Sequence, residues 1–564
     1  MEALGWIQAD IILFSGDAYI DHPSFGAAII GRVLERAGYR VAIVPQPNWR
    51  DDLRDFKKLG EPRLFFAVTS GSMDSMVNHY TANKRLRSDD AYTPEGKAGY
   101  RPDYAVKVYS QIVKKLFPKT PLIIGGVEAS LRRLTHYDYW ADKLFPSILV
   151  DSGADMLVYG MGEKPILEIA KRLEAGISIA EINDIEQTGF LIVKDTYIHD
   201  KETIILNSFD ECLKYSHMFG ENFKHIEEES NKIKGNRLIE AYGDKLIVIN
   251  PPYPPASINE MDSWWDLPYM RAPHPRYIGK NIPAWEMIKF SINIHRGCFG
   301  GCSFCTISAH QGKFISSRSE ESILKEAEKI ITMPDFKGYL TDLGGPSANM
   351  YRMEGKDIKI CQKCKRPSCI YPKICNNLNY SHKPLIQLYK KVRKIKGIKK
   401  VTIGSGIRYD LFINQSEETN RKYFEDLMQF HVSGRLKVAP EHTEEEVLKA
   451  MRKPSFKYFQ LFKTYFDAIN RNFSLKQQLI PYFISSHPVC TDTHMKNLAN
   501  QIRQMNLKPE QVQDFTPTPM TLSSTIFYTG VDPYTNKKVY VARTKEAKLR
   551  QKEQFFWNKR NWKS

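Results

Sequence analysis

FSINIHRGCFGGCSFC, residues 290–305, decides how this chain is read. Phe290–Ile294 reads as a strand, and it runs directly into a loop carrying Cys298, Cys302 and Cys305. The spacing is C-x3-C-x2-C. Three thiolates on one short loop can each take a corner of an iron–sulfur cube. Glycines at 297, 300 and 301 let the backbone fold tightly around it. Three ligands leave one iron open to a small molecule. A structural zinc site would need a fourth ligand, here His295 or His310.

Downstream, strand candidates recur at Gly338–Asp342, Lys400–Ile403, Leu436–Val438, Leu479–Ile484 and Val512–Phe515, each followed by helical sequence. Ser319 precedes one helix and Thr491 another, and Thr443 with Glu446 forms a capping-box pattern before a third. Apolar residues at 458, 459, 461, 462, 465, 466 and 469 mark a helical stripe. Six strands alternating with helices suit a partial (βα)6 barrel over 286–530, with a cysteine-rich insert at 356–380.

Upstream, residues 1–170 alternate β-branched runs with helix-length stretches. Strands are predicted at Ala9–Ser15, Arg40–Val44, Arg63–Val68, Pro121–Ile124 and Met156–Tyr159, and a helix at Phe25–Ala37. That pattern predicts a doubly wound, Rossmann-like parallel sheet. Its unusual residues, DAYIDHPSFG (17–26), TSGSMDSM (69–76), GGVEAS (125–130) and GMGE (160–163), follow strand ends, where open α/β sheets bind ligands. GGVEAS lacks the spacing and ending of a phosphate loop. Residues 171–285, with PPYPPA at 251–256, read as an irregular linker packed on its neighbours.

The cysteine loop, with Phe304 before its last cysteine, resembles the signature of the radical SAM superfamily. SGDAYIDHPSFG, GGVEASLRR, HRGCFGGCSFCTISAHQG, DLGGPSANMY and KVAPEH together are similar to the YgiQ-type radical SAM proteins over nearly the whole chain. The resemblance implies a 4Fe–4S cluster on Cys298, Cys302 and Cys305 whose open iron chelates S-adenosylmethionine (SAM). It implies reductive cleavage of SAM to a 5′-deoxyadenosyl radical that takes hydrogen from a substrate, in an oxygen-sensitive enzyme served by a flavodoxin- or ferredoxin-type electron donor. It places Gly344 and Gly345 at the SAM amino group and Phe304 beside the adenine. Ser405, Arg408 and Glu441, at later strand ends, fall where a barrel sets its chemistry. The acidic residue usual after the glycines is Pro346 here. The N-terminal sheet resembles a cobalamin-binding-like domain, but Asp21-His22-Pro23-Ser24-Phe25-Gly26 lacks the Asp-x-His-x-x-Gly spacing, so cobalamin is not expected. The motifs name neither the substrate nor the outcome of the radical reaction.

Cys361, Cys364, Cys369 and Cys375 supply four thiols within fifteen residues, enough for a zinc site or an auxiliary cluster. Such tight sets in a chain of 564 residues point to metal rather than to a disulfide framework, and leave Cys212 and Cys490 as singles. With 42% apolar and 26% charged residues the composition is globular and excludes a disordered or fibrous chain. No apolar run approaches a membrane span, and the N-terminus reads as that of a cytoplasmic protein. Net charge is +17, and residues 531–564 carry ten Lys or Arg against three acidic residues. With Phe555, Phe556, Trp557 and Trp562 this tail could bind RNA by charge and stacking. A helix packing its aromatics on the barrel is the favoured reading. A nucleic-acid-binding metalloprotein with structural or redox-sensing clusters is the alternative to an enzyme. His22, His310, His442 and His487 are read as structural, and no carboxylate pair stands out for hydrolysis.

Overall fold

A computed structural model describes residues 4–197, 202–413, 418–507 and 511–555. The N-terminal half is built on one nine-stranded sheet. Its first five strands, in spatial order Val41–Pro45, Ile11–Ser15, Phe65–Thr69, Leu122–Gly125 and Met156–Val158, are all parallel. Alternate side chains enter opposite faces, as the two-residue period requires. Ile12, Phe14, Phe66, Val68, Leu122 and Ile124 join one apolar core. Ile11, Leu13, Phe65, Ile123 and Met156 join the other. Burial on both faces explains why these strands read as unbroken hydrophobic runs. Each large apolar side chain so buried contributes roughly 1.5–3 kcal/mol.

The sheet does not stop where the sequence reading put a linker. Thr188–Val193 pairs antiparallel with Met156–Val158, and Lys245–Ile249, Leu238–Tyr242 and Ile204–Ile205 extend the sheet beyond it. These strands are short: Leu238–Tyr242 and Lys245–Ile249 are antiparallel across a tight turn, while Ile204–Ile205 pairs parallel with Leu238–Tyr242 and connects to it through helices Phe209–Lys214 and Ser216–Ser230. The proline-rich stretch beside them hid the pattern. Residues 251–285 do act as a strap. Arg271, buried at 2% exposure, donates to the carbonyls of Lys289 (2.9 Å) and Ser291 (2.7 Å) and pairs with Glu326. The strap is thereby tied to the first barrel strand.

That strand, Ser291–Asn293, opens a second set of parallel strands: Tyr339–Leu340 with Asp342–Gly344, then Lys400–Val401, Arg435–Glu441, Gln478–Ser485 and Gln511–Asp514. Ile292, Leu343, Val401, Val438 and Phe483 meet Phe459, Phe462 and Phe466 of helix Phe456–Asn472 in one core. The Ser319 and Thr491 hydroxyls cap their helices as the sequence predicts. The predicted box at Thr443 does not form. The helix starts at Glu445, with Glu444 at its N-cap and no side-chain cap. Buried Thr443 lies one residue too early to reach the first-turn amides.

The C-terminal segment closes on both halves. In helix Lys545–Glu553, Lys548 is 1% exposed, reaches the Tyr139 hydroxyl (2.6 Å), and burial pulls its pKa down to about 8. Phe555 is buried against Phe483 in the barrel core. Phe556, Trp557 and Trp562 lie outside the described residues. Cys212 and Cys490 are buried singles. Among the described residues no helix is long and apolar enough to cross a membrane.

Candidate active site

The first cysteine loop leaves the barrel at His295–Arg296. Gly297 has φ +86°, and a Cβ there would fall 2.1 Å from the Phe314 carbonyl oxygen. Only glycine permits that turn and that approach. At Gly300 a Cβ would meet the Arg408 guanidinium at 2.8 Å and the Cys298 sulfur at 3.3 Å. The glycines are therefore the means by which side chains from distant strands reach the loop.

Three such side chains matter. Arg408 Nη1 donates to the Cys302 sulfur at 3.5 Å, while Nε and Nη2 grip Asp410 at 2.9 and 2.6 Å. The sequence reading placed Arg408 at a strand end, and its guanidinium faces the cysteine loop. Ser347, just after the glycine pair, places its hydroxyl 3.6 Å from the Cys298 sulfur. Glu441 sits at a bulge with φ +68°, a left-handed conformation rare for this residue, and its carboxylate faces Lys453 at 3.8 Å. Burial raises the Glu441 carboxyl above its ordinary value. Burial also raises the Cys298 and Cys305 thiols, the latter to about 12, helped by the neighbouring sulfurs. Thiols held so high become thiolates by giving their protons up to a bound metal.

Gly344 and Gly345 close the second strand. A Cβ at Gly345 would fall 2.5 Å from the buried His295 ring, and one at Gly344 would meet Ser405 Oγ at 2.9 Å. Asp342, two residues earlier, accepts from the Gly404 N–H (2.9 Å) and from the Ser405 hydroxyl. Asp342, Ser347, Asp410 and Lys453 were missed by the sequence reading, because no local pattern marks contacts made across strands. Phe304 packs edge-on to His487 with ring centres 6.0 Å apart.

The second cysteine set lies directly on the first. The Phe299 carbonyl accepts from the Cys369 N–H (3.0 Å) and the Ser368 hydroxyl (3.3 Å). Cys298, Cys369 and Cys375 border one small apolar cluster around Phe299, Met350 and Leu411. Lys313 is 1% exposed, with its ammonium on the Arg366 carbonyl (2.9 Å) and the Cys364 sulfur (3.7 Å). A buried ammonium needs a compensating anion, and the sulfurs are what this one faces. Burial raises the Cys369 thiol to about 11. Among the described residues no three His, Cys, Asp or Glu side chains converge as ligands of one ion do. Three thiolates on one loop leave a cube one open iron, while the four thiols of the second set could complete either a zinc site or an auxiliary cluster.

Comparison with known proteins identifies the family. Models described as Radical SAM N-terminal, Radical SAM superfamily and a domain of unknown function (DUF3362) match residues 1–291, 292–483 and 510–563. The chain is a radical SAM protein, an enzyme class that requires an electron donor and a substrate. It belongs to the UPF0313 family. A UPF0313 protein of Bacteroides thetaiotaomicron is 58% identical over 99% of this chain and 93% of its own length. UPF0313 protein YgiQ of Escherichia coli is 43% identical over 100% and 83%. Two solved structures are similar at low identity. The radical SAM methyltransferase TsrM from Kitasatospora setae, with cobalamin and a [4Fe-4S] cluster bound, is 13% identical with TM-score 0.49, over 92% of this chain and 74% of that one. The cobalamin-dependent enzyme OxsB, with aqua-cobalamin bound, is 9% identical with TM-score 0.48, over 94% and 56%.

These structures correct one expectation. Cobalamin was not expected, on the ground that a ligand motif is missing. Yet both of these solved structures hold cobalamin, and the N-terminal sheet here has a cavity of about 260 Å³ at its carboxyl edge. A missing motif does not exclude the cofactor. The cavity wall includes Gly26, Gly71, Gly125 and Gly126, with His310 from the barrel half as its imidazole.

Proposed function

We propose that Cys298, Cys302 and Cys305 hold a SAM-binding 4Fe–4S cluster in a cytoplasmic enzyme. The observation that carries this reading is the placement of the Arg408 guanidinium and the Ser347 hydroxyl on two of those three sulfurs. When bound, the reduced cluster supplies the electron that splits SAM into methionine and a 5′-deoxyadenosyl radical, which starts chemistry on the substrate. The chain's own residues bind and orient. Arg408, fixed by Asp410, sets a positive charge against the Cys302 sulfur and favours the added electron. Gly344 and Gly345 offer backbone carbonyls to the SAM amino group, with Ser405 beside them. Phe304 walls the adenine side, and buried Glu441 presents an acceptor at the fourth strand end. The closely packed loops keep water from the reacting centre. The electron donor is of flavodoxin or ferredoxin type.

Cys361, Cys364, Cys369 and Cys375 form an auxiliary iron–sulfur site in this reading, supported by Lys313 and by the shared apolar cluster. Burial of Lys548 and Phe555 supports a tail packed on the protein over one that binds nucleic acid. The test is anaerobic reconstitution with iron and sulfide, followed by SAM and a strong reductant. The expected product is 5′-deoxyadenosine, abolished by Cys302→Ala. A fully reconstituted native protein that does not cleave SAM overturns the reading.

A further inference from the structure

Two consecutive arginines in GGVEASLRR are treated unequally by the fold. Arg132 is buried against Asp74. Arg133 is equally buried, at 3% exposure, yet no carboxylate meets it among the described residues. Its guanidinium donates to the Ser130 carbonyl (2.7 Å) and the Ser230 hydroxyl (3.2 Å) and lies over the Tyr159 ring at 4.8 Å. A guanidinium stays charged in a protein, and burying that charge uncompensated costs several kcal/mol. The position therefore asks for an anion.

Space for one adjoins it. Arg133 borders a cavity of about 110 Å³ between Pro252–Ala256 and the helix that follows the cysteine loop. The other cations in that wall already have partners: Lys164 with Glu260, Lys232 with Glu229, Arg296 with Glu163, while Lys313 turns to Cys364. Past Gly160 and His310, which belong to both walls, lies the glycine-lined cavity of about 260 Å³. There Glu163, 1% exposed, gives Oε1 to Arg296 at 2.6 Å and leaves Oε2 without a hydrogen-bond partner among the described residues. One end of the chamber offers a cation, and the other offers an acceptor.

We propose that this chamber between the two halves binds a phosphate ester, its phosphate on Arg133 and a hydrogen-bond-donating remainder in the glycine-lined part near Glu163. The planar fork of arginine matches phosphate oxygens, and Arg133 is the cation in this wall that, among the described residues, no carboxylate or sulfur already meets. The ligand site stands apart from SAM cleavage and does not depend on it.

The probes are inorganic phosphate, adenosine 5′-monophosphate and adenosine, titrated calorimetrically into the reconstituted full chain. The expected result is saturable binding of both anions, tighter for the monophosphate, with adenosine much weaker. Arg133→Gln should weaken both anions about tenfold or more, and Arg133→Lys, which keeps the charge but loses the fork, should weaken them less. Should the glutamine variant fail to fold by circular dichroism, the native and lysine proteins still decide. Failure of native protein to bind either anion overturns the proposal. So does anion affinity unchanged in a folded Arg133→Gln protein, and so does binding that disappears in Cys302→Ala, which would place the anion on the cluster.

Discussion

In the N-terminal half, nine strands share one sheet, and the five parallel ones are buried on both faces. In the barrel half, strands as short as Tyr339–Leu340 pair locally, and side chains do much of the joining: Asp342 to Ser405, Arg408 to the cysteine loop, Arg271 to the first strand. The first arrangement resists change because its stability is spread over many apolar contacts. The second concentrates polar contacts where charge must be controlled, and single substitutions there should reach the chemistry first.

The largest effect tests that division outright. Replacing Cys298, Cys302 and Cys305 together with Ala should reduce 5′-deoxyadenosine to background while the sheet half keeps its melting behaviour. Elemental analysis of that variant should still find iron, held by the second set. Zinc in place of iron would make that set a structural knot.

Next comes Gly301→Ala. Its Cβ would fall 2.3 Å from the Pro367 carbonyl oxygen, at a φ of +63°. The second loop must move, at a cost of about 1–3 kcal/mol. Iron at the second set should fall and SAM cleavage should slow. Unchanged iron and melting temperature would mean that the two loops are not mechanically joined.

Arg408→Met leaves buried Asp410 without its partner, so the melting temperature should fall alongside the redox effect. Removing the cation beside Cys302 disfavours the reduced cluster, so a redox titration followed by electron paramagnetic resonance should move to more negative potential. SAM cleavage should slow by about 10- to 100-fold. A potential that stays in place would strip Arg408 of this role.

The smallest effect belongs to the sheet. Glu240 is fully buried, accepts from the Thr135 N–H at 2.8 Å, and burial raises its pKa to about 7. Between roughly pH 4.3, where an unfolded glutamate titrates, and pH 7 the native state keeps a proton that the unfolded chain has lost. Stability therefore falls as pH rises through that window. Glu240→Gln should flatten this part of the profile of melting temperature against pH and leave SAM cleavage alone. An equally steep profile in the variant would contradict the assignment.

Much of this contrast was legible in the sequence. The first five strands, the cysteine loop and the caps at Ser319 and Thr491 depend on local pattern, and local pattern is written in order along the chain. The strands between Thr188 and Ile249 were not legible, since they are short and lie beside a proline-rich segment. The positions of Arg408 and Lys313 were not legible either. Arg408 reaches a cysteine 106 residues away and Lys313 one 51 residues away, distances at which only the folded structure decides the partner. The cobalamin expectation failed for a related reason, because a motif reports one way of binding a cofactor and says nothing of cavity shape.

The Phe299 carbonyl waits on residues that come late. Its partner Ser368 lies 69 positions further along the chain. As the chain is synthesised from its N-terminus, Cys298, Cys302 and Cys305 emerge first and are complete before the segment that covers them exists. Iron delivered in that interval meets an open loop. Iron delivered later meets a loop on which residues 368 and 369 are already seated, so one carbonyl separates the loop as first made from the loop as finally packed.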